Sequence, residues 1–465
     1  MLNDSTICAI STASGVGGIA VIRISGKDAL PIVDKIYKQG KKENSIEKQA
    51  AYSLNYGKIY KGDEIIDEVI IAVFKAPHSF TGENTVEITC HGSSYIQQTI
   101  LKLLIENGCE LAKAGEFTQR AFLNGKMDLS QAESVADLIA SSSASAHRLA
   151  MTQMRGGFSN ELLSLRSQLL NFVSLIELEL DFGEEDVEFA DRSQLLDLSA
   201  KIKSVIAKLV ESFSLGNAIK NGIPVVIVGE TNAGKSTLLN HLLNEEKAIV
   251  SEIHGTTRDV IEDIVNIKGI SFRFIDTAGI RDTGDKIETL GIERTFQQIE
   301  QASIVIWMID STLFNKEIEY IADKIVPRTK NKKLIIVFNK IDKISAEEQT
   351  VLEEEFLPDI PAQRLYLSAK YKKNTDILEQ ALLKAADLPN VNNNDVIVSN
   401  MRHYEALSHA LKAIERVEKG LKSGISADFV SQDIRECMHY LGEITGEITT
   451  NEILGNVFLK FCIGK

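Results

Sequence analysis

The chain has 465 residues, 44% of them hydrophobic and 25% charged, with a formal net charge of −14 and a pI of about 5.2. This length predicts two to four domains, each able to bury its own core. The acidic balance excludes a protein that holds nucleic acid mainly by neutralising phosphates, so any such contact is expected to be local or to depend on a partner.

Met1–Gly15 lacks the basic start and sustained apolar core of a secretory leader, and no apolar run approaches the ~18 residues that span a bilayer. Cys8, Cys90, Cys109, Cys437 and Cys462 are scattered and form no C-x-x-C pair, so neither a disulfide framework nor a zinc site is expected. A cytoplasmic, reducing setting follows as the expectation. No internal repeat or long low-complexity segment interrupts the chain.

Residues 1–118 read as a mixed α+β domain. Strands are predicted at Ile19–Ile24, Tyr52–Tyr60, Ile65–Phe74 and Val86–Cys90, turns at Gly15–Gly18 and Lys61–Asp63, and helices near Asp28–Tyr37 and Ser94–Asn107. From 119 to 217 the period becomes 3.6. Ser130-Gln131-Ala132-Glu133 reads as a capping box, Leu162, Leu169, Phe172, Ile176 and Leu180 trace one stripe, and Leu195, Ile202, Ile206, Leu209 and Phe213 trace another. The acidic run Asp181–Glu188 between them reads as a solvated loop.

The stretch 218–384 breaks this helical pattern. Strand-like Ile223–Val228 leads into Gly229-Glu230-Thr231-Asn232-Ala233-Gly234-Lys235-Ser236, which fits G-x-x-x-x-G-K-[ST] and precedes the helical Thr237-Leu238-Leu239. In such a loop the glycines let successive N–H groups face phosphate oxygens, Lys235 neutralises β/γ charge, and the Ser236 hydroxyl ligates Mg²⁺. From 385 to 465 helical periodicity returns, with stripes Tyr404, Leu407, Leu411, Ile414, Val417, Leu421 and Phe429, Ile434, Met438, Leu441, and with Thr449-Thr450-Asn451-Glu452 capping a last short helix. The simplest organisation is one helical domain interrupted by the 218–384 insert, connected through breaker-rich Gly216–Gly222 and Pro389–Asp395.

After the phosphate loop come Thr256-Thr257-Arg258-Asp259, Asp276-Thr277-Ala278-Gly279, Asn339-Lys340-Ile341-Asp342 and Ser368-Ala369-Lys370. In this order they resemble the signature elements of the Ras-like GTPases, which implies a doubly wound α/β domain. Asp276 would hold the Mg²⁺ shell and the Gly279 N–H would sense the γ-phosphate. The Asp342 carboxylate accepts from both N1–H and the 2-amino group of guanine, a donor pair adenine lacks, so GTP is expected over ATP.

The position after Asp276–Gly279 is Ile280, whose alkyl chain cannot orient water as a glutamine does. An arginine finger is worth about 10³–10⁵ in rate, so its electrostatic work must be done otherwise. Asn232 offers a neutral amide oxygen to a monovalent cation such as K⁺, and backbone carbonyls of Ser251, Glu252, Ile253, His254, Gly255 and Thr256 add to it. Ser251, Ile253 and Thr256 are the expected K⁺ partners of Asn232, and Ser236 and Thr257 those of Mg²⁺.

With these elements the chain resembles the MnmE (TrmE) family of tRNA modification GTPases over essentially its full length. The resemblance implies a K⁺-activated GTPase that dimerises and uses Glu288 to orient the water indirectly. The N-terminal marks are Ile19–Gly26, Phe80–Glu87, Cys90-His91-Gly92 and Gly115–Lys126, and with the terminal Phe461–Lys465 they resemble the family's tetrahydrofolate-binding domain. By family position Arg23, Glu87, Lys126 and Lys465 would contact a methylene- or formyl-tetrahydrofolate, and a flexible C-terminal arm would place Cys462 near the one-carbon carrier; Lys465 and Gly464 fit a prenylation box poorly. The remaining pocket residues implied are Ala233, Gly234, Thr237, Thr277, Ala278, Lys340, Ser368, Ala369 and Lys370. An FAD- and NADH-using MnmG-type partner in a heterotetramer, tRNA, and addition of aminomethyl or carboxymethylaminomethyl groups to the wobble uridine complete the implication. Glu230-Thr231, Ser93-Ser94 and Val16 depart from the family pattern, Glu230 adding negative charge near the phosphates. The competing readings are a ribosome-assembly GTPase switch and an aminomethyltransferase with a regulatory GTPase insert.

Overall fold

The structure, a computed structural model, describes residues 5–39, 45–181, 192–245, 262–275, 296–313, 316–355, 360, 362–387, 396–423, 425–459, 461 and 463–464. It divides into two compact units, one of residues 1–139, 152–206 and 405–465 and the other of 140–151 and 207–404. Among the described residues no helix is long and apolar enough to cross a membrane.

The first unit is built on β1 (Ile7–Ile10), β2 (Ile19–Ser25), β3 (Tyr37–Lys38), β4 (Ser53–Lys61), β5 (Glu64–Phe74), β6 (Thr85–His91) and β7 (Glu110–Leu111), ordered β3-β4-β5-β6-β2-β1-β7. All pairs are antiparallel except β1 with β7. Alternation gives the sheet two unlike faces. One carries Ile22, Ile24, Val69, Ile71, Val86 and Ile88 into a core closed by helices Ala29–Ile36 and Ser94–Glu106. The other is covered at its β1 end, where Phe117 of helix Glu116–Leu123 packs with Ile7 and Ala9, while Ile19, Leu54, Tyr56 and Ile70 stand exposed. The long predicted strands are all present within one residue at each end. The four-residue β1 and two-residue β3 and β7 are too short to leave a period in the sequence.

The helices lying wholly or largely in this unit include Leu129–Ala140, Gly157–Asp181, Arg192–Glu211, Met401–Ser423, Ala427–Thr445 and Asn451–Phe458. Three expectations change. The reciprocal cap lies two residues earlier than Ser130: Gln131 N donates to Asp128 Oδ1 at 2.8 Å and Asp128 N to Gln131 Oε1 at 3.0 Å, while the Ser130 hydroxyl is buried without a partner. Of the expected stripe Ile434 and Leu441 are buried, but Phe429 is 63% exposed and Met438 only half-buried; Val430, Cys437 and Ile444 complete the buried stripe in their place. The described tail is docked rather than free: Ile463 bridges Ala114, Ser11 Oγ donates to the Gly464 carbonyl at 3.1 Å, and a Cβ on Gly464 would stand 2.3 Å from the Ile10 carbonyl oxygen. Thr450 does cap the last helix, accepting from Ile453 N.

The second unit holds β8 (Ile223–Gly229), β9 (Asp263–Ile267), β10 (Ile270–Phe274), β11 (Ile304–Asp310), β12 (Lys333–Asn339) and β13 (Gln363–Leu367), ordered β13-β12-β11-β8-β10-β9. All neighbours are parallel except the β9–β10 hairpin. Both faces are covered. Helices Lys235–Glu245 and Thr375–Ala386 close one core with Leu238, Leu239, Leu378 and Leu382, and helices Lys316–Ile325 and Ala346–Glu355 close the other with Ile318, Ala322 and Leu352. Burial on both faces is why these strands read as unbroken apolar runs. The expected loop over Gly216–Gly222 is helical as far as Asn221. Gly216 is there for clearance, since a Cβ would lie 2.1 Å from the Val398 carbonyl oxygen.

Candidate functional site

In open α/β sheets the crevice lies beyond the carboxyl ends of the strands where connections diverge to both faces. Here β8 is that strand, flanked by β11 and β10, and its last residue begins the phosphate loop. Gly229 has φ +149° and a Cβ would stand 2.1 Å from the Met308 carbonyl oxygen. Asn232 turns the chain at φ +65°, and Gly234, at φ +101°, leaves room for Asn339, whose Nδ2 would be 2.2 Å from any Cβ. Only glycine fits at these two positions.

Lys235 opens the next helix with its Nζ donating to the carbonyls of Gly229 at 2.7 Å and Glu230 at 2.8 Å. Burial pushes the Lys235 pKa down, opposed by the nearby Glu230 charge. A partly desolvated ammonium resting on its own loop is placed to meet an incoming phosphate. Ser236 is half-buried and Thr237 exposed at the same helix start. The loop curvature, the helix N-terminus and the oxygen of Ser236 suit a phosphate with its Mg²⁺.

Asn339 ties three loops together. Its buried side chain donates from Nδ2 to the Ala233 carbonyl at 2.7 Å and accepts from Ala369 N at 2.9 Å. Ser368 Oγ donates to Asp342 Oδ1 at 2.5 Å, fixing the carboxylate at the rim. Lys370 Nζ lies 5.0 Å from the Tyr371 ring centroid. The structure thus brings together Asn232, Ala233, Gly234, Lys235, Ser236, Asn339, Lys340, Asp342, Ser368 and Ala369. The expected Thr257, Ser251, Glu252, Ile253, His254, Gly255, Thr256, Asp276, Thr277, Ala278, Gly279 and Glu288 lie outside the described residues.

In the first unit Arg23 and Glu87 are direct cross-strand partners on the open sheet face. Arg23 Nε donates to Glu87 Oε1 at 2.9 Å and Nη2 lies 2.8 Å from it. The guanidinium also sits 5.6 Å from the Phe80 ring and 5.7 Å from the Phe117 ring. These two aromatics were not singled out from the sequence as site residues, although both stand inside the motifs quoted for the resemblance. A charged fork framed by rings suits a flat heterocycle with amide-like donors. Lys126 Nζ donates to the Pro77 carbonyl at 3.1 Å, and Cys462 and Lys465 lie outside the described residues.

A six-stranded doubly wound sheet, with a phosphate loop at its switch strand and an asparagine locking that loop to the connections after β12 and β13, defines the Ras-like class of nucleotide-binding domain, carried here in one chain with an α+β unit and its helices. Residues 6–126 match the model of the GTP-binding protein TrmE N-terminus and residues 129–462 that of the MnmE helical domain. The tRNA modification GTPase MnmE of Bacteroides thetaiotaomicron is 61% identical over 467 residues, covering 100% of both chains, and that of Parabacteroides distasonis is 60% identical, covering 99% of this chain and 100% of its own. Among solved structures, a variant of Era from Aquifex aeolicus bound to GDP·AlF4⁻ aligns with 41% of this chain and 66% of its own at 31% identity, with a TM-score of 0.27. The chain belongs to the MnmE (TrmE) family of tRNA modification GTPases.

Proposed function

We infer that this chain is a GTP hydrolase acting in tRNA modification. The observation that carries the reading is the Asn339 bridge, which couples the phosphate loop to Ala369 and the Asp342 rim. One side chain thereby makes phosphate and base recognition a single event. Hydrolysis is assigned to Mg²⁺ on Ser236 and Thr257, with the shell completed by Asp276, to Lys235 on the β/γ-phosphates, and to water oriented through Glu288. K⁺ on Asn232 with carbonyls of Ser251, Ile253 and Thr256 takes the place of an arginine finger. The left-handed turn at Asn232 supports this, because it leaves that side chain exposed on the loop.

In the same reading Arg23, Glu87, Lys126 and Lys465 hold a tetrahydrofolate one-carbon derivative, and Cys462 lies near it. With an MnmG-type FAD protein, the one-carbon unit becomes an aminomethyl or carboxymethylaminomethyl group on carbon 5 of the wobble uridine, in the cytoplasm. The boundaries proposed are 1–118 for folate binding and dimerisation, 119–217 and 385–465 for the helical domain, and 218–384 for the GTPase domain. The open sheet face with Ile19, Leu54, Tyr56 and Ile70 supports the homodimer, since an apolar patch of this kind calls for a cover.

GTP turnover in KCl against NaCl, with and without Asn232→Ala, tests the cation. A tenfold or larger preference for K⁺ that vanishes in the variant is expected, and equal rates in the two salts would overturn the mechanism. Mass spectrometry of wobble nucleosides from cells lacking the gene tests the product.

A further inference from the structure

Asp310 closes β11 and belongs to none of the nucleotide motifs. It is 5% exposed and lies level with Asn339 in the parallel β11–β12 register. Its carboxylate accepts from Lys340 Nζ at 2.5 Å, Thr312 N at 3.0 Å and Thr312 Oγ1 at 2.7 Å. Burial pushes its pKa up, but hydrogen bonds from Lys340 and Thr312 and the lysine charge outweigh this and hold it below the usual carboxylate value. The next residue also grips the reading loop, because Ser311 N donates to the Asn339 carbonyl at 3.0 Å.

Lys340 occupies the left-handed region at φ +66°, where a long side chain is uncommon. It stands directly after Asn339 and two residues before Asp342, the proposed reader of guanine. A free lysine samples many rotamers, whereas one whose ammonium is anchored presents its methylene stem in one place. A buried ion pair adds little net stability once desolvation is counted, so what this one supplies is geometry.

We propose that Asp310 is a positioning residue for guanine nucleotide recognition, acting through Lys340 to fix the Asn339–Asp342 loop before the base arrives. The proposal rests on the reading of that loop as a guanine site. Pre-organisation of this kind tightens binding by removing ordering that the ligand would otherwise have to impose.

The test is fluorescent GDP titration and GTP turnover on the full chain for the wild type, Asp310→Asn, Lys340→Gln and the double variant. Expected are about tenfold weaker GDP binding for Asp310→Asn, a raised KM with kcat within twofold, and an added effect under twofold when Lys340 is already replaced. Undiminished GDP affinity in Asp310→Asn, or an equal loss in the Lys340→Gln background, would overturn the proposal. If Asp310→Asn fails to fold, Asp310→Glu takes its place: the lengthened carboxylate should weaken GDP binding several-fold alone and under twofold beside Lys340→Gln, and wild-type affinity would refute the role. A wild type that binds no GDP would instead sink the guanine reading itself.

Discussion

The two sheets of this molecule solve burial differently, and their sites differ accordingly. The six-stranded, mostly parallel sheet is covered on both faces, so no functional side chain can project from a strand interior. Its candidate site is assembled from loops at the strand ends, with the phosphate loop supplied after β8, Asn339 and Asp342 after β12, and Ser368 and Ala369 after β13. The seven-stranded sheet has one open face, and its candidate site is a cross-strand pair, Arg23 and Glu87, standing on that face. A covered sheet therefore keeps its chemistry at its edge, while a half-covered one can carry it in the middle.

Paired substitutions give the sharpest test of this contrast and the largest expected effect. Ile306→Asp places an unpaired carboxylate in a fully buried position of β11 and should cost more than about 4 kcal/mol, abolishing GDP binding and lowering the circular-dichroism melting point. Ile70→Asp, on a residue 45% exposed in β5, should change the melting point little while weakening self-association in sedimentation velocity. Equal destabilisation by both would mean that the open face is not open.

Next is Gly234→Ala. The added methyl would stand 2.2 Å from Asn339 Nδ2 at a backbone φ of +101°, so the bridge between phosphate loop and reading loops must break. GTP affinity should fall by about 100-fold, near 2.7 kcal/mol, with folate binding by the other sheet untouched. Retained GTP affinity in calorimetry would show that the bridge is dispensable.

The same contrast explains what could be read from the sequence. Parallel strands buried on both faces leave apolar runs such as Ile223–Val228, and the phosphate loop and Asn339–Asp342 are contiguous words, so both were legible. Phe80 and Phe117 around Arg23 were not, because a site on a sheet face is assembled by register across strands and by a helix from further along the chain. Asp310 left a fainter signal, an acidic residue ending a buried strand. The cap at Asp128 was missed because Ser130-x-x-Glu133 was read as a box of hydroxyl and carboxylate with nothing to weigh it against Asp128-x-x-Gln131. A periodicity of 3.6 cannot by itself choose Val430 over Phe429.

Glu87→Ala should be a smaller perturbation. It strips Arg23 of its cross-strand partner while the Phe80 and Phe117 rings still frame the guanidinium. A roughly tenfold loss of tetrahydrofolate affinity is expected, about 1.4 kcal/mol, with GTP turnover unchanged. Unaltered folate affinity would remove the pair from the site.

The smallest effect concerns Glu230, half-buried in the phosphate loop. Its charge raises the Lys235 pKa against the burial that lowers it, and it also repels phosphate. The direct repulsion of phosphate is the larger of the two influences on binding, so Glu230→Arg should tighten GTP binding about threefold, roughly 0.65 kcal/mol and in the range of a partly exposed charge. At alkaline pH this advantage should narrow. An arginine at 230 would depress the lysine pKa further, so the variant should lose its ammonium, and with it GTP affinity, at a lower pH than the parent. The GTP affinities of the two proteins should therefore converge as the pH is raised, and parallel curves would mean that Glu230 does not reach Lys235 once nucleotide is bound.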